Sequence, residues 1–397
     1  MSDATLKPAQ GPANEAPKKR REFTSTVGRG KAIVREQAPD TDFYKDDLVQ
    51  VHFGDSLKFY DQWDTPQCIV SDGAYGVLGF EGDTSDHTGM PEWYEPHVQA
   101  WSKRSTPQTT LWFWNSEIGW AAVHPVLEKH GWRYVNANIW DKGVGHIAGN
   151  VNTTKIRRFP VVSEVCVQYV KEARIDGQLL KHWLLKEWKR TGLPVREANK
   201  ACGVADAAVR KYLDQGHLWY WMPVDMFEKM AAYANRHGKP EGRPYFSKDG
   251  KRSMTGEDWA KTRSRFNCPH GMTNVWQRNA VRGTERIKTH GTEGRAVHLN
   301  QKPLDLMTRI VEATTNEGET IWEPFGGLFT GCVAARRLGR RAFSAEIDGT
   351  YFHYGLERLI SEASQRRHEQ QRRDECPGCA GSRRRVRIGA QIFAGLE

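Results

Sequence analysis

Hydrophobic and polar positions along the chain form short apolar runs, separated by polar turns and by stretches with helical spacing. The runs of strand length cover residues 48–53, 68–70, 109–114, 134–140, 161–170, 320–322 and 342–346. Residues 118–130 carry apolar side chains at the spacing of an amphipathic helix. Strands that alternate with helices predict an α/β fold, with a mostly parallel sheet and helices on both faces.

The pattern becomes helical after residue 170. An amphipathic helix is predicted over residues 179–190. Residues 193–213 resemble a helix-turn-helix, with Gly203 in the turn, Asp206 as the cap of the second helix and Val209 on its buried face. An ordinary helical hairpin is the alternative. The candidate DNA contacts of this unit are its basic side chains, Arg196, Lys200, Arg210 and Lys211.

Composition divides the chain into a disordered basic arm, a first half of the sheet domain, a mainly helical insertion, a second half of the sheet domain and a charged tail. Their predicted bounds are residues 1–45, 46–170, 171–270, 271–360 and 361–397. The arm contains the cluster Lys18-Lys19-Arg20-Arg21. Within the insertion, residues 238–265 are rich in Gly, Lys and Arg and are predicted to be a loop.

The net charge of the chain is +10, and its excess lies in one region. Residues 171–300 contain 25 Lys and Arg against 14 Asp and Glu. A local positive field favours a polyanion partner, because neutralised phosphates release counterions. A solvated basic surface is the alternative.

Composition also bears on the compartment of the protein. No apolar run approaches the roughly 20 residues of a membrane span. The seven cysteines show no framework spacing, and Cys376-x-x-Cys379 has no second pair. We interpret these two cysteines as free thiols and predict no metal site. A cytoplasmic protein with no membrane partner is expected.

Two turns at opposite ends of the chain carry the candidate chemistry. Ser71-Asp72-Gly73-Ala74-Tyr75-Gly76 follows the run at 68–70, and Glu323-Pro324-Phe325-Gly326-Gly327 follows the run at 320–322. Open α/β sheets bind their ligands at the C-terminal ends of the strands. Both turns are therefore predicted to face a ligand.

The first turn resembles the catalytic Asp-Pro-Pro-Tyr segment of amino-methylating DNA methyltransferases, and the second resembles their S-adenosylmethionine loop, Asp-Pro-Phe-x-Gly. The catalytic segment comes first, which is the order of the β group of that family. The chain departs from the family at several positions. Gly73 and Ala74 replace both prolines, and Glu323 replaces Asp. The next glycine of the family falls on Phe329, two residues before Gly331.

Further segments carry the same resemblance. The segment from His298 to Pro303 resembles the family's His-Pro-Thr-Gln-Lys-Pro, and Gly54-Asp55 resembles a turn whose acid lies near the cofactor adenine. Glu346 matches the acid that holds the cofactor ribose, at the spacing of a βαβ nucleotide site. The resemblance implies a Rossmann-like methyltransferase sheet with an inserted target-recognition region. The cofactor-binding residues it implies are Asp55, Gln301, Lys302, Pro303, Glu323, Phe325, Gly326, Gly327 and Glu346.

The first turn contains groups suited to methylation of an exocyclic base amine, which is a poor nucleophile because its lone pair is delocalised. A carboxylate and a backbone carbonyl that accept its two N–H bonds make the nitrogen more electron-rich. Asp72 and the Gly73 carbonyl could supply these acceptors, and Tyr75 could stack on the base. The implied catalytic residues are Asp72, Gly73, Ala74 and Tyr75. The target base would leave the duplex, at a cost of a few kcal/mol.

These features predict a site-specific methyltransferase that uses S-adenosylmethionine and double-stranded DNA. Asp72 favours adenine N6 as the acceptor, whereas the neighbouring Ser71 leaves cytosine N4 open. A non-catalytic DNA-binding regulator on a degenerate methylase sheet and an RNA methyltransferase are further alternatives. A cognate restriction endonuclease is left open as a partner, and the chain is expected to be a monomer or a homodimer.

Overall fold

The computed structural model of the chain describes residues 41–76, 83–146, 157, 159–205, 208–213, 216, 219–268, 270–291 and 294–375. Several predictions lie outside the described residues. They concern the arm up to residue 40 with its basic cluster, the cap Asp206, the thiols Cys376 and Cys379, and the tail from residue 376.

A sheet of nine strands organises the described part of the chain, and a two-stranded ribbon accompanies it. The eleven strands are β1 (Phe43–Lys45), β2 (Val49–Phe53), β3 (Cys68–Ser71), β4 (Thr110–Asn115), β5 (Trp132–Asp141), β6 (Ser163–Lys171), β7 (Arg174–Ile175), β8 (Gln178–Leu179), β9 (Val275–Gln277), β10 (Thr320–Glu323) and β11 (Arg341–Glu346). The order in the large sheet is β1-β2-β11-β10-β3-β4-β6-β5-β9.

Five neighbouring strands, from β2 to β4 in this order, are parallel, and they form the centre of the sheet. Strand β6 is antiparallel to both of its neighbours, β4 and β5. The predicted mostly parallel sheet is therefore confirmed, with β6 and the edge strand β1 as the reversed strands. Strand β10 lies directly beside β3, although some 250 residues separate them in the chain.

Ten α-helices are found in the described residues. They are α1 (Met90–Arg104), α2 (Glu117–Lys129), α3 (Leu180–Arg190), α4 (Val195–Cys202), α5 (Arg210–Leu213), α6 (Val224–His237), α7 (Gly256–Ala260), α8 (Leu304–Thr314), α9 (Thr330–Arg337) and α10 (Gly349–Glu375). None of the helices in this described part is both long and apolar enough to cross a membrane.

Side-chain alternation in the central strands places helices on both faces of the sheet. Ile69 and Trp322 face a cluster that also holds side chains of α1 and α2. Val70 and Ile321 face the opposite cluster, which holds side chains of α8, α9 and α10. Because both faces are covered, strands such as β4 are apolar and buried at nearly every position.

The insertion contains a hydrophobic cluster of its own, formed by buried side chains between Ala173 and Trp259. Helices α3, α4, α6 and α7 contribute to it. The domain bounds predicted from composition stay a prediction, although this separate cluster agrees with an inserted unit.

Three segments differ from the sequence prediction. Residues 43–45, assigned to the disordered arm, form β1 and pair with β2. The predicted loop 238–265 contains the short helix α7, whose first turn is stabilised by a capping box between Thr255 and Asp258. Residues 361–375, assigned to the charged tail, continue helix α10.

Candidate active site

The two turns singled out by the sequence meet at one edge of the sheet, because the strands that precede them are adjacent and parallel. A Cβ atom on Gly73 would lie 2.6 Å from the Phe325 ring and 2.8 Å from the Tyr94 hydroxyl. Only glycine allows this approach between the two turns. Both turns line one cavity of about 550 Å³.

The first turn lacks the prolines of the family, and hydrogen bonds from other residues restrict it instead. The Ala74 carbonyl accepts hydrogen bonds from Tyr94 Oη at 3.1 Å and from Asn115 Nδ2 at 2.8 Å. On the other side, the Asp83 carboxylate accepts the backbone N–H groups of Tyr75 and Gly76, at 3.1 and 3.0 Å. Residues of α1, β4 and the segment before α1 therefore fix a loop whose own sequence is permissive.

Asp72 lies at the wall of the cavity beside a buried lysine. Lys302 Nζ is 2.8 Å from Asp72 Oδ1, and the Tyr75 hydroxyl is 2.9 Å from the same oxygen. Burial raises the pKa of Asp72, and the Lys302 ammonium opposes this rise. For Lys302 the balance is reversed: burial alone would lower its pKa, but Asp72 and Glu164 outweigh burial and raise it.

A second acid, Glu164 of β6, extends this group of charges. Glu164 Oε2 is 3.3 Å from Lys302 Nζ, and Glu164 Oε1 is 2.5 Å from Lys142 Nζ. The Tyr75 hydroxyl is also 3.2 Å from Glu164 and donates its single proton to one of the two acids at a time. Burial alone would raise the pKa of Glu164, but the two lysines lower it.

The second turn presents backbone amides beside Glu346. The N–H of Gly327 donates to Glu346 Oε2 at 2.6 Å, and the N–H of Asp348 donates to Oε1 at 2.8 Å. Gly327 has φ +50°, a conformation that favours glycine. Burial raises the pKa of Glu346 to about 7.

The Glu323 carboxylate accepts hydrogen bonds from the first turn of helix α9. Its carboxylate accepts the N–H groups of Gly331 and Cys332, at 2.7 and 2.8 Å. Burial raises its pKa to about 7. A Cβ on Gly331 would lie 2.9 Å from this carboxyl group. Gly331 lies two residues after the position of the family's glycine. It therefore leaves room for the Glu323 side chain, which is one methylene longer than that of Asp.

Phe329, which replaces a family glycine, packs beneath the second turn. Its φ is +53°, so a non-glycine residue occupies the left-handed region here. Its ring is fully buried and fills the space where a Cβ of Gly326 or of Gly355 would be. Two glycines thus accommodate the phenylalanine, and the turn remains open to the cavity.

The other residues assigned to cofactor binding occupy different positions. Asp55 lines the cavity and caps a short helical turn by accepting the N–H of Leu57 at 2.9 Å. Gln301 also lines it, while its amide bonds Ile287 N and the Glu285 carbonyl. Pro303 is not among the lining residues and instead precedes helix α8.

Sequence reasoning missed several residues of the site. They are Asp83, Tyr94, Lys142 and Glu164, together with the α1 residues Glu92, Trp93, Pro96 and His97 on the cavity wall. Glu164 had a signal, because it is the one acid in the apolar run 161–170. The α1 wall had none that separates it from an ordinary amphipathic helix.

The basic side chains of the predicted helix-turn-helix lie apart from the lining of this cavity. All four are exposed, and they are Arg196, Lys200, Arg210 and Lys211. Gly203 ends α4 with φ +67°, as a turn residue should. Asn199 Oδ1 accepts the N–H of Val209 at 3.1 Å and so links α4 to the residue before α5. The described second helix, α5, has only four residues, and the motif stays a prediction.

Comparison with known proteins gives a consistent assignment. A family model described as "DNA methylase" matches residues 66–357. Type II methyltransferase M2.DpnII of Streptococcus pneumoniae is 34% identical over 91 residues, which are 23% of this chain and 31% of that protein. DNA adenine methyltransferase YhdJ of Escherichia coli K12 is 40% identical over 62 residues, 16% of this chain and 21% of that protein. The chain thus spans less than a third of the length of these two relatives.

A solved structure is similar over a longer stretch. The M1.HpyAVI–SAM complex matches with a TM-score of 0.44 and 16% identity, over 79% of this chain and 99% of that one.

Proposed function

The chain belongs to the DNA methylase family whose model matches residues 66–357, and from this premise we propose that it transfers a methyl group from S-adenosylmethionine to an exocyclic amine of a DNA base. One observation carries the proposal. The Asp72 turn and the glycine turn at Gly326 and Gly327, far apart in the chain, line one cavity at the C-terminal edge of a parallel sheet.

The residues of the cavity fit S-adenosylmethionine. The Glu346 carboxylate receives two backbone N–H bonds and keeps lone pairs that can accept ribose hydroxyls. A Cβ on Gly327 would meet nothing nearer than the His298 ring at 3.8 Å, so a ligand can approach the backbone there. Trp93 and Phe325 line the cavity with ring centroids 5.2 Å apart and supply apolar surface.

The target base would be placed by the first turn. Bound S-adenosylmethionine supplies an electrophilic methyl carbon on a sulfonium. The Asp72 carboxylate and the Gly73 carbonyl accept the two N–H bonds of the amine, and the Tyr75 ring supports the extruded base. As the N–C bond forms, the bond between the methyl carbon and the sulfonium sulfur would break and release S-adenosylhomocysteine, and the nitrogen would give up one proton, for which the Asp72 carboxylate is the proposed acceptor.

We propose adenine N6 as the acceptor, because residue 72 is an aspartate and supplies a carboxylate. The test is incubation of the protein with labelled S-adenosylmethionine and duplex genomic DNA, followed by mass spectrometry of the nucleosides. N6-methyladenine is the expected product, and N4-methylcytosine would identify the alternative acceptor. DNA binding without any methylated nucleoside would support the regulator, and transfer to RNA alone would contradict a DNA substrate.

Cofactor affinity is expected to fall as the pH decreases below about 7. The Glu346 carboxyl has its pKa raised to about 7, and only its ionised form accepts both ribose hydroxyls. Glu346→Gln should weaken S-adenosylmethionine binding about tenfold at pH 8 and flatten this dependence. Calorimetric titration between pH 6 and 8 measures both effects.

Glu323 supplies the control for this experiment, because its pKa is also about 7 and it lines the same cavity. A pH dependence that persists in Glu346→Gln would assign the effect to Glu323. Without cofactor, the raised pKa values of Glu323 and Glu346 contribute to the free energy of unfolding, and this contribution has the opposite dependence on pH. It is present below the ordinary carboxyl pKa of 4.5 and is lost as the pH rises through about 7.

The insertion is proposed to contact DNA through its exposed basic side chains. Arg210→Ala should weaken duplex binding by about 1–3 kcal/mol if Arg210 reaches a base edge. Fluorescence anisotropy with cognate and non-cognate duplexes measures the loss. Arg133→Ala is the matched control, because Arg133 is exposed near the start of β5, away from the C-terminal edge. Equal affinities for the Arg210 and Arg133 variants would make the helical hairpin a scaffold.

A further inference from the structure

Four side chains of alternating charge form a row that ends at Asp72. In order, they are Lys142, Glu164, Lys302 and Asp72, and successive members are 2.5, 3.3 and 2.8 Å apart. They come from the region after β5, from β6, from the segment before α8 and from the turn after β3. The family resemblance assigns only Asp72 of this row to methyl transfer, and it places Lys302 among the cofactor-binding residues.

Lys302 is buried and forms ion pairs with neighbouring side chains. Its side chain is 2% exposed, and its ion pairs in the described residues are with Asp72 and Glu164. Its ammonium lies 5.1 Å from the ring centroid of Tyr75 and 5.5 Å from that of Trp114. Burial of an ammonium group costs free energy unless the group is paired with an opposite charge. Here the partners are Asp72, in the turn after β3, and Glu164, on β6.

The hydrogen bonds of Asp72 are distributed unequally between its two oxygens. Lys302 and Tyr75 both contact Oδ1. Among the hydrogen bonds and ion pairs of the described residues, none involves Oδ2. One oxygen is therefore held by the protein, and the other can accept an N–H of the target amine.

We propose that Lys302 is a positioning residue of the methyl-transfer site, with Glu164 as its counter-charge: it holds Oδ1 of Asp72 and keeps this carboxylate ionised, so that Oδ2 accepts the amine. Glu164 supplies a second negative charge beside Lys302, so that Asp72 is not its only counter-charge. Lys142 in turn pairs with Glu164. This inference rests on the proposed function, because it assigns a role in that reaction.

The proposal has a consequence for the pH dependence of the reaction. Burial raises the pKa of Asp72, and Lys302 opposes that rise. Without the ammonium the pKa of Asp72 would be higher, and the carboxylate would become protonated at a higher pH. The other titratable groups that act on this site from the packed elements are Tyr75, Tyr94, His146, Glu164, Cys166 and His298.

The experiment compares Lys302→Met with the unaltered protein. Single-turnover methyl transfer to duplex DNA is followed from pH 5 to 9, and the dissociation constant of S-adenosylmethionine is measured by calorimetry. The double variant Lys302→Met with Glu164→Gln removes both charges and keeps the packing, which covers the case in which the single variant fails to fold. The matched control is Lys103→Met, which breaks an exposed pair with Asp61.

Lys302→Met is expected to lower the rate at pH 7 by at least about tenfold and to move the acidic limb of the profile upward by about one pH unit. Both variants that lack Lys302 should bind S-adenosylmethionine within about twofold of the unaltered protein, with partial recovery of the rate at high pH. A cofactor affinity that falls as much as the rate, with an unmoved acidic limb, would overturn the proposal and return Lys302 to the cofactor pocket.

A second measurement separates this inference from the proposed function. The Asp72 carboxyl can be titrated by carbon NMR in protein labelled at aspartate, with Asp72→Ala to identify its signal. A higher pKa of Asp72 in Lys302→Met supports the ion pair even if the protein transfers no methyl group, an outcome that would refute the proposed function alone. An unchanged pKa of Asp72 would refute the role of Lys302.

Discussion

Asp72→Ala is expected to reduce the single-turnover rate of methyl transfer by about a thousandfold or more. The substitution removes the ionised acceptor of the amine and of its proton, and the remaining Gly73 carbonyl can accept only one N–H bond. The pocket should persist, because Lys302 keeps Glu164 as a partner at 3.3 Å. The affinities for duplex DNA and for S-adenosylmethionine should therefore change by no more than about threefold.

The control for this variant is Asp61→Ala, which removes an exposed carboxylate that pairs with Lys103. It should leave the rate unchanged, because exposed ion pairs contribute little to stability. An Asp72→Ala protein that methylates DNA at more than about a tenth of the normal rate would remove Asp72 from the mechanism.

Gly73→Pro is the second large prediction, and its direction is opposite to what the family pattern suggests. The substitution restores a proline of the family, yet the rate of methyl transfer should fall by about 10- to 100-fold. A Cβ at residue 73 would lie 2.6 Å from the Phe325 ring, and this ring cannot move without disturbing its neighbours Trp93 and His97. Single-turnover kinetics and thermal unfolding measure the cost to activity and to stability.

Gly89→Ala is the matched control, because an added Cβ there meets only Thr84, at an ordinary 3.5 Å. It should leave both activity and melting temperature near their normal values. Activity in Gly73→Pro that equals or exceeds that of the unaltered protein would show that the close contact between Gly73 and Phe325 does not hold the turn.

The prolines missing from the first turn are replaced by contacts from elsewhere in the chain. Proline restricts a loop through its own ring, whereas this loop is restricted by the hydrogen bonds of Tyr94, Asn115 and Asp83. Gly73 has a steric role, because it allows the first turn to lie against the second turn. The restraint that prolines would supply is thus provided by contacts with the surrounding residues.

The same compensation is found in the second turn. Glu323 reaches the start of α9 because Gly331 leaves space for its longer side chain. Phe329 occupies the space beneath the turn that Gly326 and Gly355 leave. Each substitution departs from the motif, and each is explained by a neighbour that only the folded chain brings close.

The sequence by itself determined the strands of the parallel core and the two turns that follow them. Residues 68–70 and 320–322 were predicted to be strands and form parts of β3 and β10. This success has a local cause, because the hydrophobic period of a strand and the turn after it are encoded within a few residues. The fold class and the family assignment follow from such local signals and their order.

Tertiary structure alone decided which distant residues meet at those turns. Glu164 and Lys302 lie 92 and 230 residues after Asp72 in the chain, and no period or spacing relates the three. The reversed direction of β6 and the sheet order bring them within hydrogen-bond distance. A buried charge is stabilised by partners in space, wherever they lie in the sequence. That is why the motif revealed Asp72, whereas only the folded chain showed that Lys302 contacts it and pairs with Glu164.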